Sequence, residues 1–331
     1  MKKTIFTIIV ICILYSCKTK PYNYFEGETQ GTTYHITFEE SDVTITGEEI
    51  DSVIAEFSKV FSTYDSTSVI SRVNNNESDV EISEDFQYLL KVSEEVYTQS
   101  DKLFDITIAP IVNAWGFGFE TAQHVDSLLI DSLLQYVGFD KIQLSGNKII
   151  KQNSNIMLDG NAIAQGYSVD IVSKYLEDRK VKNYLVEIGG ELKAIGVNKN
   201  GNVWKVGIDK PIENSDAENR ELQTTILLKN MSLATSGNYR NFFVENGVKY
   251  AHTINPKTGY PVKNDLLSVT VLTKECIYAD AYATTFMVMG YEASKKFVES
   301  RPDLEAYFIY TDKDNKMQEY YTSNFKKMIA E

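Results

Sequence analysis

The second half of the chain is dominated by short strand-like segments that follow one another closely. From Tyr184 onward such segments recur, and Asn246–Gly247 between two of them is a strong two-residue hairpin turn. Earlier in the chain, apolar residues recur at helical spacing, as in Glu48–Phe61 and in a helix that Ser83 is expected to cap. Helices early and hairpins late predict an α+β fold with largely antiparallel sheet and packed helices.

The same patterns predict the remaining elements. The strands are expected at Thr32–Phe38, Lys141–Leu144, Lys148–Lys151, Tyr184–Ile188, Glu191–Val197, Val203–Ile208, Leu222–Leu228, Asn241–Glu245, Lys249–Ile254, Leu267–Thr273, Ala306–Tyr310 and Met317–Tyr321. The other helices are expected at Asp126–Val137, through Ile171 and Leu176, and at Ala279–Met289.

Length and charge limit what the chain does. Its 331 residues are enough for one large domain or two small ones with a real core. The net charge of −13 argues against a nucleic-acid partner, because binding phosphate backbones requires a basic surface.

The N-terminus has the pattern of a secretory signal peptide. Lys2 and Lys3 precede an apolar run, Ile5–Leu14, that is about half the roughly 20 residues a spanning helix needs. The sequence Leu14–Cys17 resembles a bacterial lipobox, in which the cysteine is lipidated; the alternative is an ordinary signal with a chance cysteine.

These observations predict three parts: a signal peptide at 1–16, lipidated Cys17 with a tether at 17–29, and a folded domain at 30–331. The mature protein is then expected to be exported, to face the periplasm and to be held at the membrane by its lipid. Removal of the signal leaves one other cysteine, Cys276, for which a buried, unreactive thiol is the expected role.

Asp280 and Thr284 are the first candidates for a metal site. They lie four residues apart within Ala279–Met289, so both oxygens project from one face of the predicted helix. A carboxylate and a hydroxyl suit a hard cation such as Mg²⁺. The alternative is a helix-start aspartate and a threonine that bonds its own backbone.

Two loops could accompany that site. His252 precedes a Pro-Lys-Thr-Gly turn at a strand end, which favours a site residue over a structural histidine. Asp159 is expected at a strand-to-helix junction, where free backbone amides and the helix dipole favour an anionic ligand. Glycines 160 and 166 there permit close backbone approach.

The segment 104–118 combines aromatic residues with glycines. Trp115 and the phenylalanine that follows are either a wall for stacking a ring or simply core. Asp105 within the apolar run requires partners if it is buried, and ring N–H groups of a ligand are among the candidates.

Taken together, these motifs resemble the ApbE family, the FAD:protein FMN transferases. The resemblance spans about residues 30–330, in family order and spacing. It is carried by QGTTY at 30–34, STYDSTSVISRVN at 62–74, FDITIAPIVNAWGFG at 104–118, LDGNAIAQGYSVD at 158–170, EIGGEL at 187–192, ATSGNYR at 234–240, HTINPKTGYP at 252–261 and ADAYAT at 279–284.

The resemblance implies a single α+β domain that uses FAD and Mg²⁺ and transfers FMN to a threonine of a target flavoprotein, releasing AMP. Implied partners are flavin-carrying subunits of membrane redox pumps and related electron-transfer proteins. Implied FAD contacts are Gln30, Tyr64, Leu103, Phe104, Asp105, Asp159, Gln165 and Ile254. Implied metal ligands are the Ala162 carbonyl, Asp280 and Thr284, and His252 and Asp280 are the implied catalytic residues.

Three positions depart from the family pattern. Many members have lysine or glutamate in place of Gln165, aspartate in place of Asn255, and some have methionine in place of Gln30. Two other functions remain open at this point: an FAD pyrophosphatase that gives FMN and AMP, and a flavin-binding lipoprotein without catalysis.

Overall fold

The structure is a computed structural model. The part of the chain that it describes contains fourteen strands and nine α-helices. It comprises residues 20–118, 125–212, 221–238, 242–245, 248–251 and 253–330, with backbone alone described within 242–251. The strands are β1 (Tyr22–Thr29), β2 (Thr32–Glu39), β3 (Ile142–Ser145), β4 (Lys148–Lys151), β5 (Tyr184–Ile188), β6 (Glu191–Ile195), β7 (Trp204–Asp209), β8 (Leu222–Leu228), β9 (Met231–Gly237), β10 (Phe242–Glu245), β11 (Val248–Ala251), β12 (Leu266–Thr273), β13 (Glu305–Thr311) and β14 (Met317–Tyr321).

The helices flank these strands along the chain. They are α1 (Gly47–Phe61), α2 (Val69–Asn74), α3 (Glu84–Gln99), α4 (Ala109–Ala114), α5 (Ser127–Leu134), α6 (Ala164–Asp178), α7 (Cys276–Met289), α8 (Tyr291–Glu299) and α9 (Ser323–Met328), with a short 3₁₀ turn at Phe139–Lys141. Ser83 caps α3 as expected, since its side chain accepts the Phe86 N–H.

One eight-stranded sheet organises the protein, and all its neighbouring strands are antiparallel. Its order is β1-β2-β5-β6-β9-β12-β13-β14, and the pairs β3–β4, β7–β8 and β10–β11 form separate hairpins. The predicted α+β class with largely antiparallel sheet is therefore confirmed.

The sheet is covered on both faces because its strands alternate. In β13, Phe308 packs with the helices on one face, whereas Tyr307 and Ile309 pack on the other face, against the β7–β8 hairpin and α9. Helix α7 lies on the helical side, where it packs against α3, α6, β9 and β12. Most of its residues are buried, so it forms the centre of the larger core.

Helices α6 and α7 cross at their first turns, and Gly166 makes the crossing possible. A Cβ on Gly166 would lie 2.4 Å from the Cys276 carbonyl oxygen and 2.6 Å from the Asp280 Cβ. The Gly166 N–H donates to Asp280 Oδ2 at 2.8 Å, and the Ile277 N–H donates to an oxygen of Asp170 at 2.9 Å. Each helix thus provides an aspartate for an otherwise unpaired amide of the other.

Cys276, at the start of α7, is buried, and its sulfur lies 3.6 Å from the Leu192 and Leu233 carbonyl oxygens. Burial raises the pKa of its thiol well above the ordinary value. The expectation that this thiol is buried is confirmed, and its raised pKa is consistent with low reactivity.

The predicted tether at 17–29 is wrong over most of its length. Tyr22–Thr29 is β1, which pairs along its whole length with β2 at the edge of the main sheet. The Tyr24, Glu26 and Glu28 side chains on one face are more exposed than their neighbours, and this polar character concealed the strand. Residues 1–19, with the predicted signal and Cys17, lie outside the described residues.

Several other elements differ from expectation. Strand β9 is not among the predicted strands; it contains small polar residues yet lies between β6 and β12. The strand implied by the junction expected at Asp159 does not form; Met157 makes only an isolated parallel bridge to Ile108. The helix expected at Asp126–Val137 is shorter, because Asp126 is its N-cap and it ends at Leu134.

Replacing Gly166 with alanine should destabilise the protein, because its methyl group would collide with the backbone of α7. We expect a loss of about 1–3 kcal/mol in the free energy of unfolding, measured by urea denaturation. Gly160→Ala is the matched control, since its Cβ would meet nothing closer than 3.6 Å. Equal stability of the Gly166 variant and the control would contradict the account of the crossing.

Candidate functional site

A single large cleft collects almost all the residues that the sequence singles out. Its volume is about 1010 Å³, at the upper end of the range for small-molecule sites. Its lining includes the predicted site residues Gln30, Tyr64, Leu103, Phe104, Asp105, Asp159, Ala162, Gln165, Ile254, Asp280 and Thr284. His252 lies outside the described residues, although Thr253 and Ile254 beside it line the cleft.

One wall of the cleft is apolar and aromatic. Val112 on α4, Trp115 just after it and Ile254 all line the cleft and belong to a small core cluster around α4 and α5. The Trp115 indole N–H donates to the Gly259 carbonyl at 2.8 Å, which fixes the ring against the 255–259 turn. Trp115 is therefore both core and cleft wall, so the two readings of the sequence are compatible.

Another part of the cleft is polar and is built by residues of α6, α7 and β9. Asp280 is 6% exposed, and burial raises its pKa to about 7 even though the Gly166 amide bonds to it. Thr284, one turn later, lies with its hydroxyl 3.4 Å from the Ser236 hydroxyl on β9. The predicted helical face with Asp280 and Thr284 thus opens into the cleft.

Glu191 is a cleft residue to which the sequence analysis assigned no role. It begins β6 just after Gly189–Gly190, and the Gln165 side-chain amide donates to its carboxylate and to the Ile188 carbonyl. Burial, and then the nearby charge of Asp280, raise the Glu191 pKa well above its ordinary value. The glutamate after the paired glycines was visible, but the sheet order that places it near Asp280 was not.

Gln165 approaches the β5–β6 turn closely. A Cβ on Gly189 would lie 1.9 Å from Gln165 Nε2, so a side chain here would collide with Gln165. Gly189 also has φ +62°, a backbone conformation that favours glycine. The Gly-Gly pair therefore accommodates the Gln165 side chain as well as forming a turn.

The turn at Asp159 differs from expectation in one respect. Amides predicted to be free for an anion form hydrogen bonds within the chain. The Asn161 N–H donates to Asp159 Oδ1, and the Gly166 N–H donates to Asp280. The Ile163 and Ala164 N–H groups both donate to the Gly160 carbonyl. These amides therefore do not form an open anion site. Asn161 and Ala162 still line the cleft.

Asp105 is buried but already has protein partners. Its Oδ1 accepts from the Thr107 amide at 2.8 Å and from the Thr107 hydroxyl at 2.6 Å, and its Oδ2 accepts from the Phe139 amide at 3.1 Å. Burial nevertheless raises its pKa. The carboxylate primarily holds its own loop at the cleft wall.

Two predicted contact residues lie in exposed turns at the cleft. Tyr64 is 72% exposed. Gln30 has φ +51° and is followed by Gly31 with φ +72°, as in the two-residue turns that join antiparallel strands, here β1 and β2. A non-glycine residue in this conformation is strained, which is tolerated more readily where a side chain serves a site.

The described lining of the cleft is acidic. The described residues that line it include the carboxylates Asp105, Asp159, Glu191 and Asp280 and no lysine, arginine or histidine. Within the described ranges, no group of three or more His, Cys, Asp and Glu residues is arranged to hold a metal ion. A cation here would therefore rely on mixed oxygen ligands, a donor set that suits Mg²⁺.

The fold and the cleft describe an α+β protein with a large cleft that has an apolar, aromatic part and an acidic part. Comparison with known proteins gives the family. The family model described as "ApbE family" matches residues 30–308. The chain is 36% identical to "FAD:protein FMN transferase" of Haemophilus influenzae, with 99% of each chain covered, and 33% identical to that of Vibrio cholerae, with 100% of each covered.

Solved structures agree with this result. The structure titled "Flavin Transferase ApbE from Vibrio cholerae" superimposes with a TM-score of 0.82 at 32% identity and covers 93% of this chain and 99% of its own. The chain belongs to the ApbE family. The predicted family and fold class are confirmed, and the predicted activity is the one that the relatives' names state.

Asp280 makes a testable contribution to the pH dependence of stability. Its pKa is about 7 in the folded protein and 3.8 as an ordinary value, so the folded state binds more protons between these values and its stability falls as pH rises through that window. Asp280→Asn keeps an acceptor for the Gly166 amide but does not titrate. Without added metal, we expect it to be more stable than wild type by more than about 1 kcal/mol near pH 8 and equally stable near pH 4.

Urea denaturation in EDTA at the two pH values measures this difference. A difference in stability that does not change with pH would contradict the assignment of a raised Asp280 pKa.

Proposed function

We propose that this protein binds FAD in the cleft and transfers its FMN half to a threonine hydroxyl of a partner flavoprotein, releasing AMP. The observation that carries the proposal is the division of one cleft into an aromatic wall around Trp115 and a carboxylate–hydroxyl side at Asp280 and Thr284. FAD has the same division, with a flat aromatic ring joined to a charged pyrophosphate. The names of the relatives supply the direction of the transfer.

The proposal assigns Mg²⁺ to Asp280, Thr284 and the Ala162 carbonyl, all of which line the cleft. Two observations support this assignment: no basic side chain is among the described lining residues, and the Asn161, Ile163, Ala164 and Gly166 amides donate within the chain. When bound, the cation neutralises charge on the pyrophosphate.

The chain's own residues then position the reacting groups. We assign the flavin ring to the side of Tyr64 and Asp105 and the pyrophosphate to the side of Asp280. The threonine oxygen forms a bond to the FMN-side phosphorus, the bond from that phosphorus to the bridging oxygen breaks, and AMP departs with the oxygen. The threonine proton passes to a base, for which His252 and Asp280 are the candidates.

The proposed partners are flavin-carrying subunits of membrane redox pumps and related electron-transfer proteins. We further propose that the protein is exported and anchored by a lipid on Cys17, facing the periplasm. The support is the N-terminal sequence alone: charged residues, a short apolar run and a lipobox-like cysteine. None of the described helices is long and apolar enough to cross a bilayer.

Asp280→Ala should lower Mg²⁺-dependent flavin transfer by at least about a hundredfold, because it removes a charged ligand of the cation. Transfer is measured as covalent flavin fluorescence on a denaturing gel of a threonine-containing acceptor. Asp178→Ala is the control, since Asp178 is exposed on α6 and pairs only with Lys174 among the charged groups within 4.0 Å in the described chain. Transfer at the wild-type rate by the Asp280 variant would eliminate the metal assignment.

The same assay without acceptor separates transfer from hydrolysis. Slow AMP release that the acceptor accelerates supports the transferase. Rapid AMP release that is indifferent to the acceptor would make water the acceptor and the protein an FAD pyrophosphatase. Tight FAD binding with no AMP under any condition would make it a flavin-binding protein.

Cys17→Ala should abolish incorporation of labelled palmitate and release the protein from the membrane fraction. Cys12→Ala is the matched control, because Cys12 lies inside the predicted signal peptide and should leave labelling unchanged. Palmitate labelling of the Cys17 variant equal to wild type would contradict the proposed anchor.

A further inference from the structure

Helix α2 does not line the cleft, but it lies between two segments that do. All six of its residues, Val69–Asn74, are described, and none lines the cleft. The segment before it carries Tyr64, and the segment that contacts its other end carries Asp159 and Ala162. The mechanism proposed above uses both segments and leaves α2 without a role.

The C-terminal end of α2 is joined to the Asp159 turn by a pair of hydrogen bonds from one buried side chain. Asn74 Nδ2 donates to the Leu158 carbonyl at 2.9 Å, and Asn74 Oδ1 accepts the Leu158 N–H at 2.7 Å. The Asn74 carboxamide thus satisfies both backbone groups of the residue directly before Asp159. The next amide, that of Asp159, donates to the Ile106 carbonyl at 2.7 Å, so the turn is held from two sides.

Apolar packing and two further hydrogen bonds also hold the C-terminal end of α2. Ile70 Cδ1 lies 3.9 Å from the place that a Cβ on Gly160 would take, so α2 also contacts the turn through its buried face. Lys151 Nζ donates to the Val73 carbonyl at 3.0 Å and to the Asn74 carbonyl at 3.3 Å, as cations do at helix C-termini.

The N-terminal end of α2 is joined to the Tyr64 segment in a similar way. The Ser68 hydroxyl donates to the Ser62 carbonyl at 2.6 Å and accepts the Ser71 N–H as the helix cap. The Ser62 hydroxyl in turn accepts the Tyr64 and Asp65 amides, both at 3.3 Å. Ser68 therefore connects the helix to the turn that presents Tyr64.

We propose that α2 is a bracket that sets the distance between Tyr64 and the Asp159–Ala162 turn, with Asn74 and Ser68 as positioning residues for the bound dinucleotide. Each end of the bracket holds the backbone of a segment that the proposed function assigns to FAD or its cation. The inference rests on that proposed function. It adds that the affinity for FAD depends on side chains that never contact it.

The test compares Asn74→Ala with Asn76→Gly. Asn76 Nδ2 donates to the Ser154 carbonyl at 3.0 Å, so it also joins the end of α2 to the 151–158 segment, but it does not hold Leu158. Glycine suits its φ of +60°. FAD affinity is measured by quenching of flavin fluorescence, without acceptor, at a temperature where each variant is fully folded by circular dichroism.

We expect Asn74→Ala to weaken FAD binding by about tenfold to a hundredfold, as a displaced binding group does, and Asn76→Gly to weaken it less than about twofold. Ser68→Ala, which acts at the other end and removes only a cap and one bond, should weaken FAD binding in the same direction. If the Asn74 variant does not fold, the Ser68 variant provides the test. Wild-type FAD affinity in folded Asn74→Ala or in Ser68→Ala, with only the melting temperature lowered, would overturn the bracket.

Hydrogen exchange separates failure of the bracket from failure of the proposed function. If the wild-type chain binds no FAD, the proposed function fails, and the bracket is then tested by exchange of the amides of residues 158–162. Faster exchange in Asn74→Ala than in Asn76→Gly supports it, and equal exchange in the two variants overturns it.

Discussion

The crossing of α6 and α7 at Gly166 is the contact on which the cleft depends. No other residue type fits there, because any Cβ would overlap the backbone of α7. The close approach lets Asp280 reach an amide of α6 while Asp170 reaches an amide of α7, and Lys193 balances Asp170 at 3.2 Å. The two helix starts are thereby fixed over the sheet, where α6 packs against β6 and α7 packs against β9, and residues of both helices line the polar part of the cleft.

This construction leaves the cleft rich in buried negative charge. Within the described residues, Asp170 has a lysine partner, whereas Asp280 and Glu191 accept hydrogen bonds from amides, and burial raises the pKa of both. Buried carboxylates near each other are costly unless a proton or a cation is present. Keeping such carboxyl groups in a large cleft therefore costs stability, and the proposed cation would offset that cost. In the function proposed above, that cation would allow a pyrophosphate to enter an acidic cleft.

The sequence predicted the parts of this arrangement that are local. Asp280 and Thr284 share a helical face, and the spacing of the residues was enough to place both on one surface. Features of the site that depend on contacts between distant parts of the chain could not be predicted in this way. The proximity of Glu191 to Asp280 follows from the order of strands, and the use of the Asp159-turn amides follows from how α6 begins. Edge strand β1 was mistaken for a tether because a partly exposed strand carries little apolar signal.

The central claim is that one cleft holds both the flavin and the cation. A crystal structure of the protein grown with FAD and Mn²⁺, with anomalous scattering used to locate the metal, tests this directly. The account predicts an anomalous peak in contact with the Asp280 and Thr284 oxygens, and flavin density in the same cleft beside Trp115. A metal peak away from Asp280, or flavin density outside this cleft, would contradict it.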